Sequence, residues 1–140
     1  MGLLSKLFGG GTGKPSRSAV FPSTEFASAR DAISAMIARQ REHWPGGWVS
    51  VSLGDHAGDD DGPAMIQVAG GEGEPDTINL LLRRAPEAVA TALGLVEKQH
   101  GLYLVPDSNV DQMASLVEAL LAEMFHVGEI RSLAIEIDPG

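Results

Sequence analysis

Residues 108–138, SNVDQMASLVEALLAEMFHVGEIRSLAIEID, decide the fold. Val110, Met113, Val117, Leu120, Leu121 and Met124 recur mostly at steps of three and four, the spacing of one helical face. Ser108 stands where an N-cap belongs, and Asp111, three residues on, is placed to complete a capping box. Gly128 falls just past the expected end, where a left-handed cap conformation suits glycine. The period then becomes two. Leu133, Ile135 and Ile137 alternate with Ala134, Glu136 and Asp138, which predicts a half-buried strand. Leu116 and Phe125 widen the apolar sector of the helix beyond its main stripe. The eight residues Val110, Met113, Leu116, Val117, Leu120, Leu121, Met124 and Phe125 are therefore a candidate partner-binding face, a dimer seam or a groove for a protein segment. The alternative is that a sheet and another helix of the same chain cover them all.

Upstream, Ser23 is read as the cap of a helix running to Trp44, with Phe26, Ala29, Ile33, Met36, Ile37 and Gln40 on one side. Pro45-Gly46-Gly47 ends it. Three strands are predicted next, over 48–53 (WVSVSL), 64–69 (AMIQVA) and 77–83 (TINLLLR), joined by the turns 54–63 and 70–76. Short turns imply an antiparallel meander. Pro86 suits the first turn of a short helix. At Gly94 two readings compete. Either the helix stops there and Leu95–Glu97 and Leu102–Val105 form a hairpin, or it runs through to Gln99 at a cost of ~1 kcal/mol relative to alanine. Ala-Leu-Gly-Leu reads as a glycine cap followed by a hydrophobic residue, which favours the hairpin. The predicted class is α+β: a bent antiparallel sheet with helices, in the order α-β-β-β-α-β-β-α plus a C-terminal strand.

The first 22 residues read differently from the rest. MGLLSKLF (1–8) is amphipathic, with Leu3, Leu4, Leu7 and Phe8 able to share a helical face. These four are a membrane-anchor candidate of at most weak surface affinity, because eight residues do not hold a helix alone. Gly2 does not make a myristoylation signal, since Lys6 stands where serine or threonine is wanted. GGGTGKPSRSAVFP (9–22) reads as a flexible linker. Its GGGTGK is not a phosphate-binding loop, because Pro15 follows the lysine and no strand precedes it. Residues 23–140 are then a single α+β domain.

Charge bounds the partners. Ten Lys and Arg oppose nineteen Asp and Glu, a net −9. Lys6, Lys14 and Arg17 all lie in the first 22 residues, which hold no acid. The seven basic and nineteen acidic groups left place residues 23–140 at −12. Such a surface repels phosphate backbones, so the expected partner is a protein or peptide segment, with no nucleic acid. There is no cysteine, which excludes disulfides and thiol chemistry. No run approaches the ~18 apolar residues of a membrane span, and no signal-peptide pattern is present, so the expected location is cytoplasmic.

Ala92-Leu-Gly-Leu95, then Leu102-Tyr-Leu-Val-Pro106, then a helix over 109–125 ending Glu123-Met-Phe-His-Val127, resemble type III secretion chaperones and the related YbjN-like bacterial domains. The resemblance spans about residues 23–127 and rests on topology and apolar spacing, without a catalytic signature. It implies a chaperone- or adaptor-like, homodimeric module that binds protein segments. It transfers no site residue and names no cargo. The strand over 130–138 and the basic, glycine-rich leader depart from the family pattern.

Candidate chemistry is sparse. Asp55-His56-Ala57-Gly58-Asp59-Asp60-Asp61 could offer oxygen ligands to Ca²⁺ or Mg²⁺, as a small metal-binding or metal-dependent domain would. It lacks EF-hand spacing and also fits a solvated hairpin tip. His43, His56, His100 and His126 show no two-ligand helical spacing; His43 and His126 fall near helix C-termini, where positive charge is favourable. Ser50, Ser52, Ser115 and Ser132 sit inside expected elements, outside any nucleophile elbow. The sequence therefore assigns no catalytic residue, no metal ligand and no cofactor.

Overall fold

The computed structural model describes residues 15–54, 64–71, 74–81, 84–105, 109–125 and 128–140. In chain order these form β1 (Ser18–Phe21), α1 (Ala29–His43), β2 (Trp48–Leu53), β3 (Met65–Gly71), β4 (Glu74–Asn79), α2 (Glu87–Ala92), β5 (Val96–Gln99), β6 (Leu102–Leu104), α3 (Val110–Phe125) and β7 (Leu133–Asp138). The strands make one seven-stranded sheet in the order β1-β7-β2-β3-β4-β6-β5. Every neighbouring pair is antiparallel. The class is α+β.

The last strand is the keystone of this order. β7 enters between β1 and β2, so its alternation is shared across three strands: Ala19, Ile135 and Val51 lie in one row, with Ile66 of β3 beyond them. Ile137, Val49, Val68, Ile78 and Tyr103 make the next row on the same side. Period-two spacing puts all of these on one face, and that face is the core. α1 and α3 pack on each other and over this face. α1 contributes Ala29, Ala32, Ile33, Met36, Ile37 and Gln40; α3 contributes Met113, Ala114, Val117, Leu120, Leu121 and Phe125. Two helices on one face of a sheet form two layers around one core.

Several boundaries differ from the sequence reading. Residues 18–21 belong to a strand, although composition placed them in a linker: four residues carry no periodic signal, and only the ladder with β7 reveals them. α1 begins at Ala29. Ser28 is the cap, accepting from the Asp31 amide at 3.1 Å, whereas Ser23 caps only a local turn by accepting from the Glu25 amide. The third meander strand is Glu74–Asn79, not 77–83. Asn79 Oδ1 accepts from the Leu81 amide at 2.9 Å, and Leu81 takes a positive φ of 55°, which breaks the extended run that Leu80 and Leu81 suggest. Ser108, the cap expected from sequence, lies outside the described residues, and Asn109 caps α3. Its Oδ1 accepts from the Gln112 amide at 2.8 Å and Gln112 Oε1 accepts from the Asn109 amide at 2.9 Å, a capping box closed by glutamine rather than by Asp111. At Gly94 the helix does stop: its φ is 74°, β5 follows, and Gly101 (φ 81°) turns the chain into β6.

The polar side chain of Gln40 is buried in this core. Gln40 has no solvent exposure, and its Nε2 donates to the carbonyls of Trp44 at 2.9 Å and Gly47 at 3.2 Å. It thereby fastens the end of α1 to the start of β2. Beside it Arg41 lies 3.1 Å from the Asp76 carboxylate, at ion-pair distance but out of line for a hydrogen bond, which leaves Nη2 without a bonded acceptor.

Candidate functional site: the open face of the sheet

Alternation that points one set of side chains into the core points the other set away from it. The registers assemble that second set into rows. One row runs Asp138, Trp48, Ala69, Thr77, Leu104, Val96; the next runs Ser18, Glu136, Ser50, Gln67, Asn79, Leu102. Among the described residues no helix lies over these rows; α1 and α3 occupy the opposite face. The first row is largely apolar and ends on Val96, which is 61% exposed. The second is a polar ladder: Ser18 Oγ donates to Glu136 Oε2 at 3.1 Å, and Gln67 Nε2 donates to Ser50 Oγ at 3.2 Å.

Two concavities flank Trp48. One of about 480 Å³ is lined by Arg17, Ser18, Ser50, Gln67, Glu136 and Asp138 together with Trp48. The other, of about 270 Å³, is lined by Ala69, Thr77, Asn79 and Leu102, again with Trp48 and Gln67. An indole between a polar and an apolar recess gives contact area at little entropic cost, and the amides and carboxylates beside it supply directional bonds. Glu136 and Asp138 are exposed, so the β7 end of the face is acidic while the β5–β6 end is aliphatic.

At the far edge Arg84 and Glu97 form a two-point ion pair, with Arg84 Nε donating to Glu97 Oε2 at 2.8 Å. The arginine's hydrogen bonds hold the Glu97 carboxyl below its ordinary range, and Glu97 raises the Arg84 guanidinium in return. This pair ties β5 to the loop before α2.

The candidate partner face of α3 is distributed differently. Met113, Val117, Leu120 and Leu121 have no exposure at all and Phe125 is 8% exposed; all five belong to the chain's own core. Val110, Leu116 and Met124 are half-buried and pack on its margin. The breadth of the stripe is explained by burial on two sides, against the sheet and against α1. These five side chains thus face the interior of the chain. Leu3, Leu4, Leu7 and Phe8, the Asp55–Asp61 cluster, His56 and His126 lie outside the described residues. Ser115 accepts from Arg30 at 2.7 Å, a tie between α3 and α1. Among the described residues no three acidic or histidine side chains gather as metal ligands, and no helix is long and apolar enough to cross a membrane.

Sequence alone does not mark Trp48, Gln67, Leu102 and Leu104 as site residues, although Trp48, Ser50 and Ser52 alternate with Val49, Val51 and Leu53. Alternation states that a strand has two faces and leaves open which one the helices cover. No protein-family model matches this chain, and no curated protein or solved structure matches it.

Proposed function

We propose that this protein is a chaperone- or adaptor-like binding module that receives an apolar segment of another protein on the open face of its sheet. One observation carries the reading: a seven-stranded sheet leaves one face without a helical layer among the described residues, and that face holds Trp48, Leu102, Leu104 and Val96. Val96 is exposed there and Trp48, Leu102 and Leu104 are half-buried, and apolar area left open to solvent in this way marks an interaction surface. The acidic end at Glu136 and Asp138, and the net charge of −9, favour a segment that is basic beside its apolar anchors. The resemblance to secretion-chaperone domains points to the same class of activity.

A photo-crosslinking amino acid placed at position 104, and separately at exposed Glu123 on α3, tests this in cells of the native host. Adducts of discrete mass from position 104 and none from position 123 are expected. An adduct of twice the chain mass would assign the face to a second copy. Equal adducts from both positions, or none from 104, would refute the reading.

A further inference from the structure

We propose that the open face receives its partner as an amphipathic helix, lying over β2 and β3 with basic side chains along one flank and leucine-sized ones along the other. The inference rests on the open-face reading above and adds the form and the charge of the segment received.

The hydrogen bonds at the sheet's edges disfavour a partner that adds a strand. On β1 the Ile137 amide donates to the Arg17 carbonyl at 2.7 Å, and Ser18 pairs with Glu136. Antiparallel alternation therefore turns the backbone groups of Ser18 and Val20 away from β7. Those of Ser18 are already engaged: its amide donates to Ser16 Oγ and its carbonyl accepts from that hydroxyl, each at 3.1 Å. The Ser16 carbonyl is taken by Arg39 at 2.9 Å, and Pro22 has no N–H to offer. Val20 alone remains on this described edge, which is too short for a ladder. At the opposite edge β5 is four residues long, its register shifts between Glu97 and Gln99, and Lys98 is exposed. A short, charged, bulged edge resists strand addition.

The face offers no ladder either. Strands β7, β2, β3, β4 and β6 each have a neighbour on both sides, so their amides and carbonyls are committed within the sheet. An extended segment laid across them would bring its own backbone groups against side chains and leave many without partners. A helix bonds its amides and carbonyls internally and presents side chains alone.

Shape and charge set how that helix sits. Trp48 and Gln67, on the adjacent strands β2 and β3, line both concavities. A helix of ~10 Å diameter covers about two strand spacings of ~4.8 Å. Seated over β2 and β3, it holds one flank above the polar recess and the other above the apolar one. The polar recess sets two carboxylates, Glu136 and Asp138, against the single guanidinium of Arg17. It therefore takes a lysine or arginine, whose aliphatic stem lies on the Trp48 indole. The apolar recess, about 270 Å³ and bounded by Ala69, Thr77 and Leu102, takes an aliphatic side chain. The chain's net charge of −9 steers a basic segment toward it.

The test uses the full-length chain carrying Trp44→Phe, which leaves Trp48 as the single tryptophan. The probe is a synthetic, tryptophan-free peptide of about four helical turns, built from leucine, alanine and lysine with the lysines along one flank. A blue shift and weaker acrylamide quenching of Trp48 are expected on titration, and no change from the same peptide broken by central prolines. Glu136→Gln combined with Asp138→Asn should weaken binding about fivefold at low salt, and Leu102→Ala should weaken it as well, while Glu123→Gln on α3 leaves it unchanged. Equal binding of the proline-broken peptide would overturn the proposal, as would an unmoved Trp48 with the helical peptide at about 1 mM. Binding that falls as much in Glu123→Gln as in the Glu136 and Asp138 variant would also overturn it, since the peptide would then follow net charge and not the recess. So would a Trp48 shift that grows with protein concentration alone alongside a two-chain mass, because a second copy would then cover the face. Crosslinking from position 104 to another protein does not involve the peptide, so adducts obtained alongside the first three failures would leave the open-face reading standing.

Discussion

Leu121→Ala separates the two roles that α3 could have had. Leu121 has no solvent exposure and sits in the core between α1 and the sheet. Truncation removes three carbon groups at about 0.8 kcal/mol each, and the cavity left among rigid neighbours adds to this, for a loss of ~3 kcal/mol. An unfolding entropy of ~2.1 cal/mol/K per residue converts that to a fall in Tm of ~12 °C for a domain of this size. Leu104→Ala is the control. Leu104 is half-buried on the open face, and its loss opens a space that water fills, so ~1 kcal/mol or ~4 °C is expected. Differential scanning calorimetry on both variants reads the difference. Partner crosslinking should persist in Leu121→Ala at temperatures where it is folded, and weaken in Leu104→Ala. A Leu121→Ala protein with nearly unchanged Tm and lost partner binding would show that α3 is docking surface after all.

Three further outcomes follow from particular contacts. Asn109→Ala removes the acceptor for the Gln112 amide and should cost ~1 kcal/mol, read as a Tm about 4 °C lower. Gln40→Leu deletes the donor shared by the Trp44 and Gly47 carbonyls and should destabilise by ~1–2 kcal/mol in urea titration, with hydrogen exchange accelerated at the α1–β2 junction. Glu97 is held below the ordinary carboxylate range by Arg84. Its contribution is therefore complete above the unfolded-state value and is lost as pH falls through the lower folded-state value. Glu97→Gln should flatten that part of the acid limb of a Tm-against-pH curve, and an unchanged limb would remove the pair from the account.

Much of the architecture is legible in the sequence. The 110–125 helix, the 133–138 strand, the meander and the stop at Gly94 follow from periods of 3.6 and 2 and from glycine's tolerance of positive φ, all properties of a few consecutive residues. The class that those elements define followed with them. What needed the tertiary structure was every decision made between distant residues. β1 is a strand because β7 offers it a ladder more than a hundred residues away, and the local sequence around Ser18–Phe21 says only that prolines flank it. The wide stripe on α3 is core because α1 and the sheet approach it from two sides, whereas one helix read alone cannot show whether its second apolar side meets its own chain or another. The candidate site is the sharpest case. Trp48, Gln67, Leu104 and Glu136 come from four separate strands, and strand order and register alone bring them together. Alternation told which residues share a face; only the helices, by settling on the other one, determined which face remained open to a partner.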